Sequence, residues 1–129
     1  MNAVAHEHCR TASPSPVLKL RRADTFFLRL LGLQGFGKLA ADEGVLLTPC
    51  RAIHTFFLRQ PLDIVFLDGR GGQRRCIQRL PPYRVAMDAG ARAVVELPGG
   101  YCERHPDYLE RIQVALSRTG CSCGRNTLM

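Results

Sequence analysis

The sequence lacks tryptophan and has no long apolar run. Its longest apolar segments, such as residues 64–67, are far shorter than the roughly 20 residues that a membrane-spanning helix needs. The first residues, which include His6, Glu7, His8 and Cys9, also lack the basic-then-apolar pattern of a secretory signal. These absences predict a cytoplasmic protein that has no membrane partner.

The motifs that identify common enzymes and metal sites are missing as well. The chain contains no Gly-x-Ser-x-Gly nucleophile elbow, no phosphate-binding loop that ends in Gly-Lys-Ser or Gly-Lys-Thr, and no cysteine pair at the spacing of structural zinc sites. Cys50 precedes His54 by one helical turn and could pair with it as thiolate and base, but the sequence offers no oxyanion donor. We therefore predict no catalytic residue, no metal site and no cofactor.

What is present is the composition of an ordinary globular protein. The chain has 129 residues, of which 46% are hydrophobic and 22% charged, and this length is enough for a single core. Three of its six cysteines, Cys50, Cys76 and Cys102, lie in apolar segments, where thiols usually act as small core residues. A cytoplasmic chain with an adequate core needs no disulfide, so we expect these cysteines to be reduced.

The net charge of +7 is concentrated in one segment. Residues 69–84 contribute no acidic residue and five arginines, namely Arg70, Arg74, Arg75, Arg79 and Arg84. Such a patch can contact the phosphates of a nucleic acid, although Tyr83 is its only aromatic residue and single-strand binders usually have several. We favour a solvated edge strand, because charge on an edge discourages pairing between molecules.

The residue pattern predicts mainly strands. A strand is predicted at residues 62–68, and its run Ile64–Leu67 is apolar on both faces, as in a strand that is covered on both sides. The segment Asp68–Gly72 is a strong hairpin signal, because its glycines can take the positive φ of tight turns. Further strands are predicted at residues 17–20, 56–59, 73–80 and 92–97, and a turn followed by a brief strand is predicted at residues 43–49.

Helical segments are few. Asp24 can cap a helix that runs to Leu31, residues 101–105 suit one helical turn, and residues 50–55 suit a tight turn or one helical turn. Residues 107–116 fit both the helical and the strand period, and their length favours a helix.

These elements predict a mainly β fold, a β-rich α+β domain over residues 17–118. We expect a single compact barrel or sandwich of short antiparallel strands with one or two short helices. Flexible arms are expected at residues 1–16 and 119–129, where the composition is polar or rich in glycine.

Four blocks of the sequence, in order and at matching spacing, resemble a known family. They are Glu43–Leu47, His54–Arg59, Pro61–Asp68 and Val94–Gly100. Over roughly residues 17–105 the chain resembles the domain of unknown function 192 (DUF192) family of bacteria and archaea. The resemblance implies a small β-rich fold and no agreed activity. Family members often carry Trp and Met where this chain has Phe57 and Leu58, and a Gly-Asp turn where it has residues 105–107.

The polar residues around the central stretch form the candidate ligand site: Glu43, His54, Arg59 and Asp63. Strand alternation brings Arg59 and Asp63 to one face if Pro61 does not shift the register. Arg59 can then present its planar guanidinium to a carboxylate, either that of Asp63 or one on a ligand, and His54 can carry a proton. The alternative, which we favour, is a structural ion pair between Arg59 and Asp63.

From these patterns we predict a non-enzymatic binding or accessory module, with a small groove for an anionic ligand or a partner peptide. One alternative is an enzyme of unknown type that uses His54, Asp63 and Glu43. A second alternative is a weak nucleic-acid or polyanion binder that uses the arginines of residues 69–84.

Overall fold

The structure, a computed structural model, describes residues 17–22, 39–56 and 60–119. In these ranges the elements follow one another as β1 (Lys19–Arg22), β2 (Glu43–Leu47), β3 (Ala52–His54), β4 (Leu62–Leu67), β5 (Gln73–Leu80), β6 (Val85–Met87), β7 (Ala93–Pro98), α1 (Tyr101–Arg104) and α2 (Tyr108–Arg118). The helix predicted after Asp24, the strand residues 57–59 and most of the two predicted arms lie outside the described residues.

Five strands form one open sheet in the order β1-β2-β7-β4-β5, and β3 and β6 form a separate antiparallel ribbon. The pairs β2–β7, β7–β4 and β4–β5 are antiparallel, as predicted, whereas β1 and β2 run parallel. The mainly β, sandwich-like prediction is confirmed. The barrel alternative is wrong for the described strands, because the sheet ends at β1 and β5 and does not close.

The central sheet carries an apolar core on each face because its strands alternate. Ile64 and Phe66 of β4 pack in one cluster with Ile53 of the ribbon, while Val65 packs in a second cluster with Ile112 of α2. All six residues of β4 are buried, which confirms the prediction of a strand covered on both sides. The described chain is therefore built in three layers, with the ribbon on one face of the sheet and the helices on the other.

The hairpin between β4 and β5 is confirmed, and one aspartate closes it. The Asp68 carboxylate accepts hydrogen bonds from the backbone N–H groups of Arg70 and Gly72, both at 2.8 Å. The backbone N–H of Asp68 in turn donates to the carbonyl of Gly72 at 2.9 Å. Gly71 supplies the positive φ of the turn, +86°.

The prediction of a tight or helical turn at residues 50–55 is wrong, since this segment contains strand β3. Ile53 pairs with Ala86 and His54 with Val85 of β6, a strand that the sequence pattern did not predict. Each of these strands is three residues long and is held in place by packing of Ile53 and Ala86 on the sheet, which no local pattern encodes. Both C-terminal helical segments are confirmed as α1 and α2.

The Asp68 carboxylate should give the β4–β5 turn a measurable pH dependence. Hydrogen bonds from the N–H groups of Gly72 and Arg70 lower the pKa of Asp68 below its ordinary value of 3.8. A carboxyl group whose pKa is lowered by folding contributes stability that is complete above the unfolded pKa and is lost as the pH falls through the folded pKa. We expect Asp68→Asn to lower the free energy of unfolding by about 1 kcal/mol at neutral pH.

This difference between wild type and Asp68→Asn should shrink as the pH falls below 3.8, because the wild-type side chain then becomes neutral as well. Urea unfolding followed by circular dichroism at a series of pH values measures it. Asp42→Asn, at the end of an exposed ion pair with Lys19, serves as the control for removing one surface carboxylate. A difference that stays constant into acid would contradict the assigned role of the charge.

Candidate functional site

Asp63 is completely buried in β4, and backbone N–H groups surround its carboxylate. Oδ1 accepts from Arg79 at 2.8 Å and from Gly100 at 3.0 Å, and Oδ2 accepts from Cys102 at 2.8 Å. Hydrogen bonds to an ionised acceptor are roughly twice as strong as neutral ones. The Asp63 side chain therefore joins three parts of the fold, β4, the end of β5 and the turn that leads from β7 into α1.

The backbone around Asp63 explains why a carboxylate is needed there. Arg79 and Gly100 both have left-handed backbone conformations, with φ of +55° and +90°. Beside Asp63 the register between β4 and β5 shifts, so that β5 carries one extra residue, a β-bulge. A bulge leaves an N–H group without its partner in the ladder, and here Asp63 accepts the N–H of Arg79.

Glu43 begins β2 and is held by groups at the sheet edge. Its carboxylate accepts hydrogen bonds from the backbone N–H of Ala40 and from the guanidinium of Arg21, both at 3.0 Å. The hydrogen bond from Ala40, and then the charge of Arg21, lower the pKa of Glu43 below its ordinary value of 4.5. Glu43 is thus an ionised residue that links β2 to the neighbouring β1.

His54 lies at the end of β3 in the ribbon. Its Nδ1 accepts a hydrogen bond from the backbone N–H of Phe56 at 3.3 Å, and the two ring centroids are 5.0 Å apart. The Phe56 ring stacks in turn on Tyr83, with centroids 6.4 Å apart. His54 is therefore the first member of a row of three rings.

This row belongs to a larger surface, which we call the outer ribbon face. Ile53 and Ala86 point inward from the ribbon and are buried, so their alternating neighbours point outward. The outer ribbon face consists of Ala52, His54, Phe56, Tyr83, Val85 and Met87. Its large apolar side chains are well exposed, by 40% for Phe56, 68% for Tyr83, 62% for Val85 and 59% for Met87.

Thr55 fixes the position of Tyr83 on this face. The buried Thr55 hydroxyl donates to the carbonyl of Pro81 at 2.7 Å and accepts from the N–H of Arg84 at 2.9 Å. The backbone N–H of Tyr83 donates to the carbonyl of Thr55 at 3.0 Å. These contacts hold Tyr83 in a left-handed conformation with φ of +64°, which a residue with a bulky side chain rarely adopts.

Most of the predicted polyanion-binding arginines contact groups of the same chain. Arg74 pairs with Asp88 at 3.0 Å, Arg79 pairs with Glu103 at 2.9 Å, Arg75 donates to the carbonyl of Met87 at 3.1 Å, and Arg84 donates to the carbonyl of Tyr83 at 3.4 Å. The segment does form an edge strand, β5, which agrees with the interpretation that we favoured. Binding of a polyanion by Arg70, Arg74, Arg75, Arg79 and Arg84 stays a prediction.

The candidate ligand residues are thus held by separate groups of partners. Glu43 is bound to β1, Asp63 to β5 and the turn before α1, and His54 to the ring row, while Arg59 lies outside the described residues. Ligand binding by these four residues stays a prediction.

Within residues 17–22, 39–56 and 60–119, no three His, Cys, Asp or Glu side chains converge as metal ligands would. No helix in these ranges is long and apolar enough to cross a membrane.

The residues that sequence reasoning missed are those of β6 and the turn before it. Tyr83, Val85 and Met87 alternate with Arg84 and Ala86, which is the two-residue period of a strand. This signal was available in the sequence. It covers only five residues, and nothing local shows that its apolar members face solvent.

Comparison with known proteins adds a family and a shared fold. The family model described as Uncharacterized ACR, DUF192, matches residues 8–106, which confirms the resemblance seen in the sequence. A solved structure of a candidate transcription regulator from Sinorhizobium meliloti 1021 is 22% identical, with a TM-score of 0.61 over 67% of this chain and 73% of that one. A protein of unknown function from Novosphingobium aromaticivorans DSM 12444 is 24% identical, with a TM-score of 0.55 over 69% of each chain. No curated protein matches the chain.

Replacing Asp63 by Asn tests whether its carboxylate stabilises the fold. An amide has one acceptor oxygen, so in either orientation its NH2 group faces at least one of the N–H groups of Arg79, Gly100 and Cys102. We expect the free energy of unfolding to fall by about 2–4 kcal/mol, because a buried N–H loses its acceptor. Urea unfolding measures the change, and Asp42→Asn, at the exposed pair with Lys19, should change stability by less than about 0.5 kcal/mol. Equal stability of Asp63→Asn and wild type would show that the carboxylate serves something other than the fold.

Proposed function

The chain belongs to the DUF192 family, which has no assigned activity, and we propose that this protein is a non-enzymatic binding module that holds an acidic segment of a partner protein on its outer ribbon face. The proposal rests on one observation, the exposure of a contiguous apolar and aromatic surface where a solvent-facing ribbon would normally be polar.

The apolar exposure is concentrated on this face. In the described ranges six large hydrophobic side chains are exposed, and four of them are Phe56, Tyr83, Val85 and Met87. Scattered apolar residues on a surface need no explanation, but contiguous ones on a soluble chain commonly mark a site of interaction. The cluster therefore supports a binding role for the ribbon rather than for the opposite, helix-covered side of the sheet.

The backbone of Tyr83 supports the same location. A non-glycine residue in the left-handed region costs free energy, and it persists only where its surroundings enforce it. Here Thr55 does so: its hydroxyl bonds to the carbonyl of Pro81 and the N–H of Arg84, and its carbonyl accepts the N–H of Tyr83. The result is an aromatic ring that is 68% exposed and stacked on Phe56, a geometry suited to contact with a partner side chain.

The charges around the outer ribbon face favour an acidic partner. Residues 51–56 and 83–87 contain two arginines, Arg51 and Arg84, and no acidic residue, while the charge of Asp88, which follows Met87, is balanced by its ion pair with Arg74. Arg75 adds a third guanidinium, which lies against β6 because it donates to the carbonyl of Met87. An apolar centre with a basic rim is complementary to a peptide that carries both apolar side chains and carboxylates.

A segment of a partner protein fits this surface better than a small anion does. The exposed side chains of Val85 and Met87 alternate along strand β6, and Tyr83 precedes them in the adjoining turn, so the three form a row that can contact successive side chains of an extended peptide. An enzymatic role would require polar groups that converge, whereas His54, Asp63 and Glu43 each have partners of their own.

Substitution on the outer ribbon face should weaken peptide binding. The probes are short synthetic peptides in which Glu or Asp alternates with Leu, Val or Tyr, with matched sets in which Lys replaces the acids or Ser replaces the apolar residues. Amide shifts in NMR spectra should cluster on residues 52–56 and 83–87. Val85→Thr should raise the dissociation constant about five-fold, because it replaces a methyl group that the bound peptide would bury by a hydroxyl that must be desolvated on binding.

The chain offers a matched control, because Val114 is an exposed valine on α2, far in sequence from the ribbon. Val114→Thr makes the same chemical change and should leave peptide affinity unaltered. Equal affinity of Val85→Thr and Val114→Thr, or no binding of any acidic peptide, would overturn the proposal. Shifts that depend on protein concentration alone would identify a second copy as the occupant, and shifts produced by heparin on the arginines of β5 would identify a polyanion.

A further inference from the structure

Two cysteines from different elements meet on the helix-covered side of the sheet. Cys76 lies in β5 and Cys102 in α1, and their Sγ atoms form a hydrogen bond 3.8 Å long. Neither sulfur is in a disulfide. Cys102 is only 3% exposed, whereas Cys76 is half-buried, so a reagent from solvent meets Cys76 first.

Contacts between β5 and α1 hold the two sulfurs close together. The Asp63 carboxylate accepts the N–H of Cys102 itself and the N–H of Arg79 in the strand that carries Cys76. An ion pair between Arg79 and Glu103, 2.9 Å long, joins the same two elements at the surface. A buried carboxylate and a surface pair thus hold β5 against α1 at the place where both thiols lie.

The surroundings favour a thiolate on Cys76. The hydrogen bond with Cys102 is the main cause that lowers the pKa of Cys76, to about 7, and the Tyr108 side chain acts in the same direction. Burial and the negative charge of Asp63 oppose this change. The same hydrogen bond and burial raise the pKa of Cys102, so Cys102 keeps its proton. One partner is suited to attack and the other to hold a proton until it is needed.

We propose that Cys76 and Cys102 form a thiol–disulfide exchange site, at which a low-molecular-weight disulfide such as oxidised glutathione converts the pair into an intrachain disulfide. The sulfurs need only approach from 3.8 Å to about 2.05 Å, the length of a disulfide bond. Cys76 lies on an edge strand, so this movement need not displace a further strand of the sheet in the described residues.

The reaction proceeds in two exchanges. The Cys76 thiolate attacks one sulfur of the small disulfide, so that a bond forms to Cys76, the original S–S bond breaks, and one thiolate leaves and is protonated by solvent. Cys102 then loses its proton to solvent and attacks Cys76 Sγ, which forms the Cys76–Cys102 bond and releases the second small thiol. The second leaving thiolate also takes its proton from solvent. Counted from the Cys76 thiolate, the protein loses two electrons and one proton, and the small disulfide gains two electrons and two protons to become two thiols.

The product would tie the edge strand β5 covalently to α1. It would add a covalent link where the native protein has the Asp63 hydrogen bonds and the pair between Arg79 and Glu103. The site lies on the opposite face of the sheet from the outer ribbon face, so it is independent of the peptide-binding proposal.

Peptide mapping after treatment with oxidised glutathione tests the site in the full chain. Cleavage after arginine places each of the two cysteines in its own peptide, 76–79 and 93–104, apart from every other cysteine. We expect these two peptides to be joined by a disulfide after the remaining thiols are blocked in acid. Cys102→Ala should stop at a glutathionyl adduct on peptide 76–79, and Cys76→Ala should leave peptide 93–104 unmodified.

Cys50→Ala is the matched control, because Cys50 is as deeply buried as Cys102 and lies in the other core cluster. This variant should still form the Cys76–Cys102 link. An unmodified peptide 76–79 in the wild type would overturn the proposal. So would a glutathionyl adduct on Cys102 when Cys76 is absent, or a failure of Cys50→Ala to form the link.

The pH dependence of alkylation gives a second readout, which a purely structural pair of thiols would not show. The groups that face Cys76 are Cys102 from α1, Tyr108 from α2 and Asp63 from β4. Iodoacetamide should modify peptide 76–79 with a midpoint near pH 7 in the wild type. In Cys102→Ala the midpoint should rise by about one unit or more, and at pH 7 the adduct should form roughly ten-fold more slowly. An unchanged midpoint would show that Cys102 does not act on Cys76.

Discussion

The Asp63 carboxylate is the interaction on which the described fold depends most. It joins β4, the bulged end of β5 and the turn into α1, and its two oxygens accept the backbone N–H groups of Arg79, Gly100 and Cys102. Two of these donors belong to residues with left-handed backbone: glycine adopts this conformation without strain at Gly100, whereas at Arg79 it is strained and persists only where the surroundings enforce it. A buried charge is costly unless it is fully hydrogen-bonded, and here the backbone itself supplies the donors.

Much of the fold could be predicted from the sequence because it is encoded locally. The unbroken apolar stretch of β4, the glycines after Asp68 and the period of residues 107–116 each depend on neighbours in the chain. The pairing of β3 with β6 into a ribbon could not be predicted, because each strand is three residues long and the pair is held by the burial of Ile53 and Ala86 against the sheet. Closure into a barrel depends on which strands end at the edges, and this too is a property of the whole chain.

The candidate site was harder to predict than the fold. We grouped His54 with Asp63 because they are close in sequence, but they lie in different layers of the fold. Backbone N–H groups enclose the Asp63 carboxylate, and no pattern of side chains in the sequence indicates this. The alternation of Tyr83, Val85 and Met87 is typical of a strand whose apolar side chains are buried. Only the structure shows that Ala86 faces inward and that these three side chains are exposed. Cys76 and Cys102 likewise become neighbours only when β5 and α1 pack together, since 25 residues separate them in the chain.

The absence of tryptophan has an optical consequence. Tyrosine emission is normally masked by energy transfer to tryptophan, so in this chain the light from its three tyrosines is seen directly. Tyr83 lies on the outer ribbon face, Tyr101 is enclosed in the helix-side core, and Tyr108 donates from its hydroxyl to Gln73 beside Cys76. Solvent quenchers should reach the first of these rings and spare the second, so the protein carries a native fluorophore in each of three distinct environments without any added label.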